Sequence, residues 1–463
     1  MPDRPNIILI VMDATRAQNL SCYGYARPTT PHLDRLAESG VLYEQAISPS
    51  GWSLPSHASL FTGLYASRHG AHDEHKYLDP EFPTIAELLR ARGYHTLGFC
   101  DNLYVGPATG LDRGFQWFNR PFNSRARPLS KKANKLKRKL GNGVAKLLGQ
   151  QDSGAAHING QVAESVHRLQ SERDPFFMFI HYEDTHAPYR LPRQFARFLP
   201  KGVGLETALK VNQDPWKYLI HPDLMKAEDF ETLLGLYDSE IAYVDSRIGQ
   251  IVGWLQATNM LDRTMVIVTA DHGENVGDHG MMAHKYCLYD TLLHVPLIIH
   301  YPNGSTTTGR VSHQVQTLDL VPTILGMLGE KDSETLRALQ GYDLLSAARR
   351  DFTIAEQSRP DLSKFHTRFP GVDVSRFDRA LTMIRDDRYK FIWTSDGKHE
   401  LYERASDPAE RHNLVEILPT VAAGLHARME DWRGGFTPAT PAGPTPEFDQ
   451  EVVERLQALG YLE

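Results

Sequence analysis

Three apolar runs in the chain each end in residues that bind metals or move protons. Asn6–Met12 leads into Asp13, Phe176–Ile180 into a segment holding Asp184 and His186, and Met265–Thr269 into Asp271 and His272. Ser53 is a further candidate, in Gly51-Trp52-Ser53-Leu54-Pro55-Ser56-His57. A helix is expected there, with Ser53 as N-cap, Pro55 in the first turn and Gly63 as the stop. A hydroxyl in that place lies in the field of the helix N-terminus, where negative charge on oxygen is favoured. Taken singly, such a serine is a helix cap and an Asp or His after a strand is a turn residue. Their recurrence at three strand ends is what points to a site, because open parallel sheets bind ligands outside the carboxyl ends of their strands.

The donors define the chemistry. Asp13, Asp271, His272 and the Ser53 hydroxyl together would hold one divalent cation, and the imidazole favours Zn2+ or Mn2+ over Ca2+. A cation on Ser53 Oγ would lower its pKa and make a nucleophile near neutral pH.

These residues need a scaffold that brings distant strand ends together. Asn6–Met12, Phe176–Ile180, Met265–Thr269 and His294–Tyr301 read as strands buried on both faces. Helices are expected over 31–40, 55–63, 84–92, 163–169 and 230–257, from their apolar spacing. Past about residue 375 the pattern changes to an antiparallel hairpin, 380–385 with 389–394, and a closing helix over 452–459. The fold class is therefore α/β: a large domain, 1–375, with a mostly parallel central sheet, and a small C-terminal α+β subdomain, 376–463, with antiparallel strands. Residues 120–150 form a basic helical insert, dense in Lys and Arg over 125–146, read as a solvated amphipathic helix, a cationic lid, or a surface for acidic lipid or nucleic acid.

Composition narrows the classes. A net charge of −7 argues against a nucleic-acid binder, and three scattered cysteines exclude a disulfide framework or thiolate metal site. The N-terminal segment reads as neither a signal peptide nor a membrane span, so a cytoplasmic protein is expected, with homo-oligomerisation open.

With these residues on the page the chain resembles the sulfatases of the alkaline phosphatase superfamily over nearly its whole length. The resemblance rests on Asn6–Asp13, Tyr23-Gly-Tyr with Thr30–Asp34, Pro55–Ser59 with Thr62-Gly63, and His181–Tyr189. It continues through Thr269–Glu274, Lys285 with Val295–Ile299, Leu318–Thr323, Glu400-Leu-Tyr402, Asp407-Pro408, Asn413-Leu414 and Leu459-Gly-Tyr461. It implies an alkaline-phosphatase-like fold and hydrolysis of an anionic ester carried by a small molecule, glycan or lipid. By position, Asp13 and Asp271 match metal aspartates and His186 the histidine near the leaving oxygen. Lys285 matches the lysine on the anionic oxygens, and Ser53 stands where the family carries a Cys or Ser converted to formylglycine. His57 and His284 are further candidates for the proton donor, and His284 for substrate binding.

Five positions depart from the pattern. Ala14 replaces a second metal aspartate, His57 an arginine, and His272 an asparagine; Asp-His is instead the pattern of phosphate-handling relatives. The lysine and histidine expected after Gly93-Tyr94 are absent, leaving Asn102 to donate a hydrogen bond there. A formylglycine hydrate expels sulfate by collapsing to an aldehyde, whereas plain serine needs water to attack a sulfoserine or phosphoserine. Unmodified Ser53 thus fits phosphorus chemistry, a phosphodiester or phosphonate hydrolase or a phosphoryl transferase, while the family fits sulfate esters. A non-catalytic anion-binding relative is the third reading.

Overall fold

The computed structural model describes residues 4–119, 152–302, 308–330 and 333–440. The basic segment 125–146, the 452–459 helix and the Leu459-Gly-Tyr461 motif lie outside them.

The strand β1 (Asn6–Met12) is the middle of the molecule, and every residue in it is buried. Its alternate side chains serve two different cores. Ile7, Leu9 and Val11 join one apolar cluster, whereas Ile8, Ile10 and Met12 join another. That division follows from the two-residue period of a strand, and it explains the unbroken apolar run. The same split holds for β5 (Phe176–Tyr182) and β6 (Thr264–Thr269). Burying each such side chain contributes about 1.5–3 kcal/mol.

Helices cover both faces. The first cluster is roofed by α2 (Ser53–Thr62), α3 (Ile85–Ala91) and α6 (Leu320–Met327). The second takes α1 (Pro31–Ser39), α4 (Ala155–Leu169) and α5 (Ala227–Ala257). Between them lie β2 (Val41–Ile47), β3 (His95–Cys100), β4 (Trp117–Asn119), β7 (Leu297–His300) and β8 (Gly309–Gln316). The strand order is β8-β2-β7-β6-β1-β5-β3-β4, with a two-residue strand, His294–Val295, beside β2. All neighbours on this path are parallel except β7, which runs antiparallel to β2 and β6. The expected strand over 294–301 is thus interrupted at Pro296 and reversed in direction. An apolar run carries no sign of its direction.

Register sets the site. Ile7 pairs with Met265 and Val11 with Thr269, and the same offset carried two residues past the strand ends brings Asp13 abreast of Asp271. On the other side of β1, Val11 pairs with His181.

The small sheet has the order β9 (Thr353–Gln357), β10 (Leu381–Arg385), β11 (Tyr389–Thr394), β12 (Glu400–Glu403), all antiparallel. Its first strand comes from upstream of residue 376. Gln316, at the end of β8, joins the sheets: its Nε2 donates to Ile354 O at 2.7 Å. One face of the small sheet carries α7 (Pro419–Gly434) through Leu425 and Met429. The other meets Ile47, Leu288 and Leu293 of the body. No helix among the described residues is long and apolar enough to cross a membrane.

Candidate active site

The helix α2 begins one residue earlier than the sequence implies. Trp52 is extended, Ser53 is the first helical residue, and Gly63 closes the helix at φ 72°, its N–H donating to Ser59 O at 2.8 Å. Ser53 therefore does not cap the helix with its side chain. Its Oγ turns to the site instead, 3.2 Å from His272 Nε2 and 3.2 Å from Asn102 Nδ2. Asn102 also donates to Asp13 Oδ2 at 2.7 Å. That amide, reached two residues past β3, links the nucleophile candidate to the carboxylate at the end of β1.

Asp13, Asp271 and His272 converge, with donor atoms within 4.8 Å of one another. His272 Nε2 lies 3.4 Å from Asp271 Oδ2 and 3.7 Å from Asp13 Oδ1. His272 Nδ1 faces Gly273 O at 2.8 Å, which assigns the ring hydrogen to Nδ1 and a lone pair to Nε2. Asp271 Oδ1 accepts the Ala14 amide at 3.1 Å and the His272 amide at 2.9 Å, so Oδ2 is the oxygen turned inward. Ala14 gives its N–H to Asp271 from a left-handed φ of 52°, and its carbonyl accepts Tyr237 OH at 2.7 Å. Gly273 has no room for a side chain: a Cβ there would lie 2.0 Å from Thr291 O.

The electrostatics suit a bound divalent cation. Asp13 Oδ1 and Asp271 Oδ2 are buried without hydrogen-bond partners, a costly state for carboxylates. Burial and the neighbouring Asp271 push Asp13 up to about 6. Burial would also raise Asp271, but His272, His57 and His181 outweigh it and hold it below the usual range. Burial works to lower His272, yet Asp271 and Asp13 raise it. Two inward carboxylate oxygens, one imidazole nitrogen and one hydroxyl make a donor set that a divalent cation satisfies.

Lys285 projects from a tight loop in which Ala283, Lys285 and Tyr286 all have positive φ, 63°, 92° and 66°. Its Nζ lies over the Trp52 ring, 4.2 Å from the centroid, and 3.6 Å from Asp73 Oδ1. His186 Nδ1 engages Ala187 O, and burial lowers its pKa. Its ring meets that of His284 at 4.8 Å, and His284 stacks on His272 at 4.3 Å. Burial, with His272 and Lys285 nearby, pushes His284 far down.

Two candidates sit elsewhere than the sequence implies. His57 lies in the core below Ser53, where its Nδ1 meets Ser53 O at 2.8 Å and stands 3.5 Å from Asp271 Oδ2. Its ring packs on Phe61, Phe179 and His181, so it is a wall behind Asp271 and not a group over the leaving oxygen. Burial pushes it down to about 4. Asp184 turns away from the other strand ends, its Oδ1 accepting the Ser153 amide at 2.9 Å. Burial and Asp152 raise its pKa.

Two residues escape a reading of the sequence. His181 is the sixth residue of β5, fully buried, with Nε2 3.3 Å from Asp13 Oδ2. Its imidazole inside an otherwise apolar strand was the available signal. Glu274 is 1% exposed and joins His186 and His284 in a separate set of donors. Its place directly after Asp271-His272-Gly273 was the signal there.

Comparison with known proteins places the chain in a family and a fold. The sulfatase family model matches residues 5–330, and the model described as N-sulphoglucosamine sulphohydrolase, C-terminal, matches 277–434. The chain is 25% identical to the uncharacterized sulfatase YidJ of Escherichia coli (strain K12), over 92% of this chain and 86% of that one. It is 24% identical to arylsulfatase K of Bos taurus, over 92% and 81%. Among solved structures, phosphonate monoester hydrolase of Agrobacterium radiobacter superimposes with TM-score 0.73 at 24% identity, covering 93% of this chain and 96% of that one. A 2-O GAG sulfatase does so with TM-score 0.67 at 19% identity, covering 96% and 98%.

Proposed function

The chain belongs to the sulfatase family of ester hydrolases, and from that premise we propose that it hydrolyses an anionic sulfate ester with residue 53 as nucleophile. The observation that carries this reading is Ser53 Oγ at the head of α2, 3.2 Å from both His272 Nε2 and Asn102 Nδ2, before two unpartnered carboxylate oxygens.

One divalent cation, Zn2+, Mn2+ or Ca2+, held by Asp13, Asp271, His272 and Ser53 Oγ, would supply Lewis acidity that activates the nucleophile and takes charge from an equatorial oxygen. Asn102 orients Ser53 Oγ by its hydrogen bond and fixes the Asp13 carboxylate with the same nitrogen. Lys285, held between Asp73 and the Trp52 face, stabilises the anionic oxygens of the ester. His186 gives a proton to the leaving oxygen, with His284 beside it to orient the ring. His57 and His181 hold Asp271 and Asp13 from behind. The curated relatives include iduronate 2-sulfatase of Homo sapiens and an ulvan-active sulfatase of Formosa agariphila, which supports a glycan as the group bearing the ester.

A second reading, hydrolysis of a phosphate diester or phosphonate, is favoured by Ser53 itself together with His57 and His272. A serine without the aldehyde route is released by water attacking phosphorus more readily than sulfur.

Peptide mass spectrometry of residue 53, followed by turnover of matched aryl sulfate and aryl phosphate diester substrates, separates them. Formylglycine at 53 with sulfate turnover supports the first reading. Unmodified serine with phosphodiester turnover supports the second and removes the first. Neither activity from metal-loaded protein removes both.

A further inference from the structure

The loop after β6 folds back as a small hairpin whose strands, Asn275–Val276 and Met282–Ala283, pair Asn275 with Ala283 and Val276 with Met282. One step outward in that register, Glu274 falls opposite His284. The segment after β5 delivers His186 to the same place. Donor atoms of the three lie within 4.8 Å of one another, and Glu274 Oε1 is 3.7 Å from His284 Nδ1.

Glu274 is the unusual member. It is 1% exposed, and neither carboxylate oxygen has a hydrogen-bond partner. The charge of the nearby Arg16 guanidinium reaches it, but the guanidinium hydrogen-bonds instead to Asp278 Oδ2 at 2.6 Å and to the Glu274 main-chain carbonyl. A buried carboxylate in that state calls for a cation. Two imidazoles and one glutamate, leaving one position open, are a donor set used for catalytic zinc.

We propose that His186, Glu274 and His284 bind a second divalent cation, Zn2+ or Mn2+, beside the one held by Asp13, Asp271 and His272. The two donor sets adjoin through the stacked rings of His272 and His284, whose planes differ by 29°. Binding of the second ion does not depend on the proposed function; its role does. With that ion bound, His186 would serve as its ligand instead of as the proton donor described above, and the ion would supply the charge that meets the leaving oxygen.

The test is metal stoichiometry of the full chain, loaded with excess Zn2+ or Mn2+, desalted, and measured by inductively coupled plasma mass spectrometry. Two ions per wild-type chain are expected, falling to one in Glu274→Gln and in His284→Asn. Titration calorimetry of the variants should show the second step weakened by about 100-fold or more. Fewer than two ions in the wild type, or two retained in both variants, overturns the proposal. If the variants fail to fold, anomalous diffraction from metal-soaked wild-type crystals decides it: a peak among the three donors supports the site, and its absence removes it. Turnover by a protein holding one ion would sink this inference and leave the proposed function standing. Two ions without turnover of either ester would do the reverse.

Discussion

Asn102 Nδ2 and Ser53 Oγ lie 3.2 Å apart, and the same nitrogen is 2.7 Å from Asp13 Oδ2. One amide therefore aligns the Ser53 hydroxyl at the head of α2 with the carboxylate just past the end of β1. Asn102→Ala should lower kcat by about 10²-fold or more, the usual cost of a lost preorganised donor, with little change in KM. Asn102→Asp should be worse, because it sets a third carboxylate beside Asp13. Steady-state kinetics on the ester that the protein turns over check both.

Ser53→Ala removes the oxygen proposed as the attacking atom and leaves the helix start intact, since the side chain makes no capping bond. Turnover should fall by roughly 10⁴-fold or more while the thermal midpoint hardly moves. A variant that loses activity only in proportion to lost folded protein would speak against Ser53 as nucleophile.

Lys285 combines a charge with packing on Trp52. Lys285→Ala should lower kcat/KM by about 10²- to 10³-fold, as for other oxyanion-stabilising groups. Lys285→Arg keeps the charge but not the compact ammonium, and should recover only part of the loss. Full activity in Lys285→Ala would exclude it from the site.

Metal removal should destabilise the fold. With Asp13 and Asp271 facing each other, chelation leaves two buried carboxylates in mutual repulsion. A cation at a hundred times its Kd stabilises by about 2.7 kcal/mol, so scanning calorimetry should show a midpoint several degrees higher with metal than with chelator. In Asp13→Asn that difference should shrink.

A core histidine sets an acid limb. His69 Nδ1 accepts the Ala71 amide at 3.1 Å and Nε2 meets Ser59 Oγ at 3.0 Å, an arrangement for the neutral ring. Burial pushes its pKa down to about 3. The unfolded chain then binds the extra proton first, so this contribution is complete above about pH 6.5 and is lost as pH falls toward 3. Denaturant midpoints measured across that window should fall, and less steeply in His69→Gln.

The scaffold was legible where apolar runs are continuous. β1, β5 and β6 face two cores at once, so their sequences carry no polar alternation, and the acids and imidazoles at their ends stand out. Direction was not legible: β7 looks like its parallel neighbours but runs against them. Ser53 was found for a partly mistaken reason, since its hydroxyl bonds to His272 and Asn102 and not to its own helix. His181 escaped notice because its strand position, on the same face as Phe177 and Phe179, normally belongs to core. The meeting of Glu274 with His284 depends on a hairpin with two-residue strands, too short for any periodic signal. Asn102 was named from the resemblance, whereas what brings it to Ser53 is the β3–β5 register, a long-range fact that no local pattern encodes. The small sheet was visible as a hairpin, whereas its upstream strand, 353–357, was hidden by the 23 residues between it and Leu381.

The position of β1 also has a consequence for synthesis. It is made before every other strand of its sheet, yet both of its neighbours come much later, at residues 176–182 and 264–269. At roughly 5–20 residues per second, a central apolar strand waits on the order of ten seconds or longer for its first partner. During that time it is an unpaired edge on a nascent chain, the kind of segment chaperones bind. Asp13 is made 258 residues (271 − 13) before Asp271, so the cluster of carboxylates and imidazoles closes late, after most of the large sheet has been made.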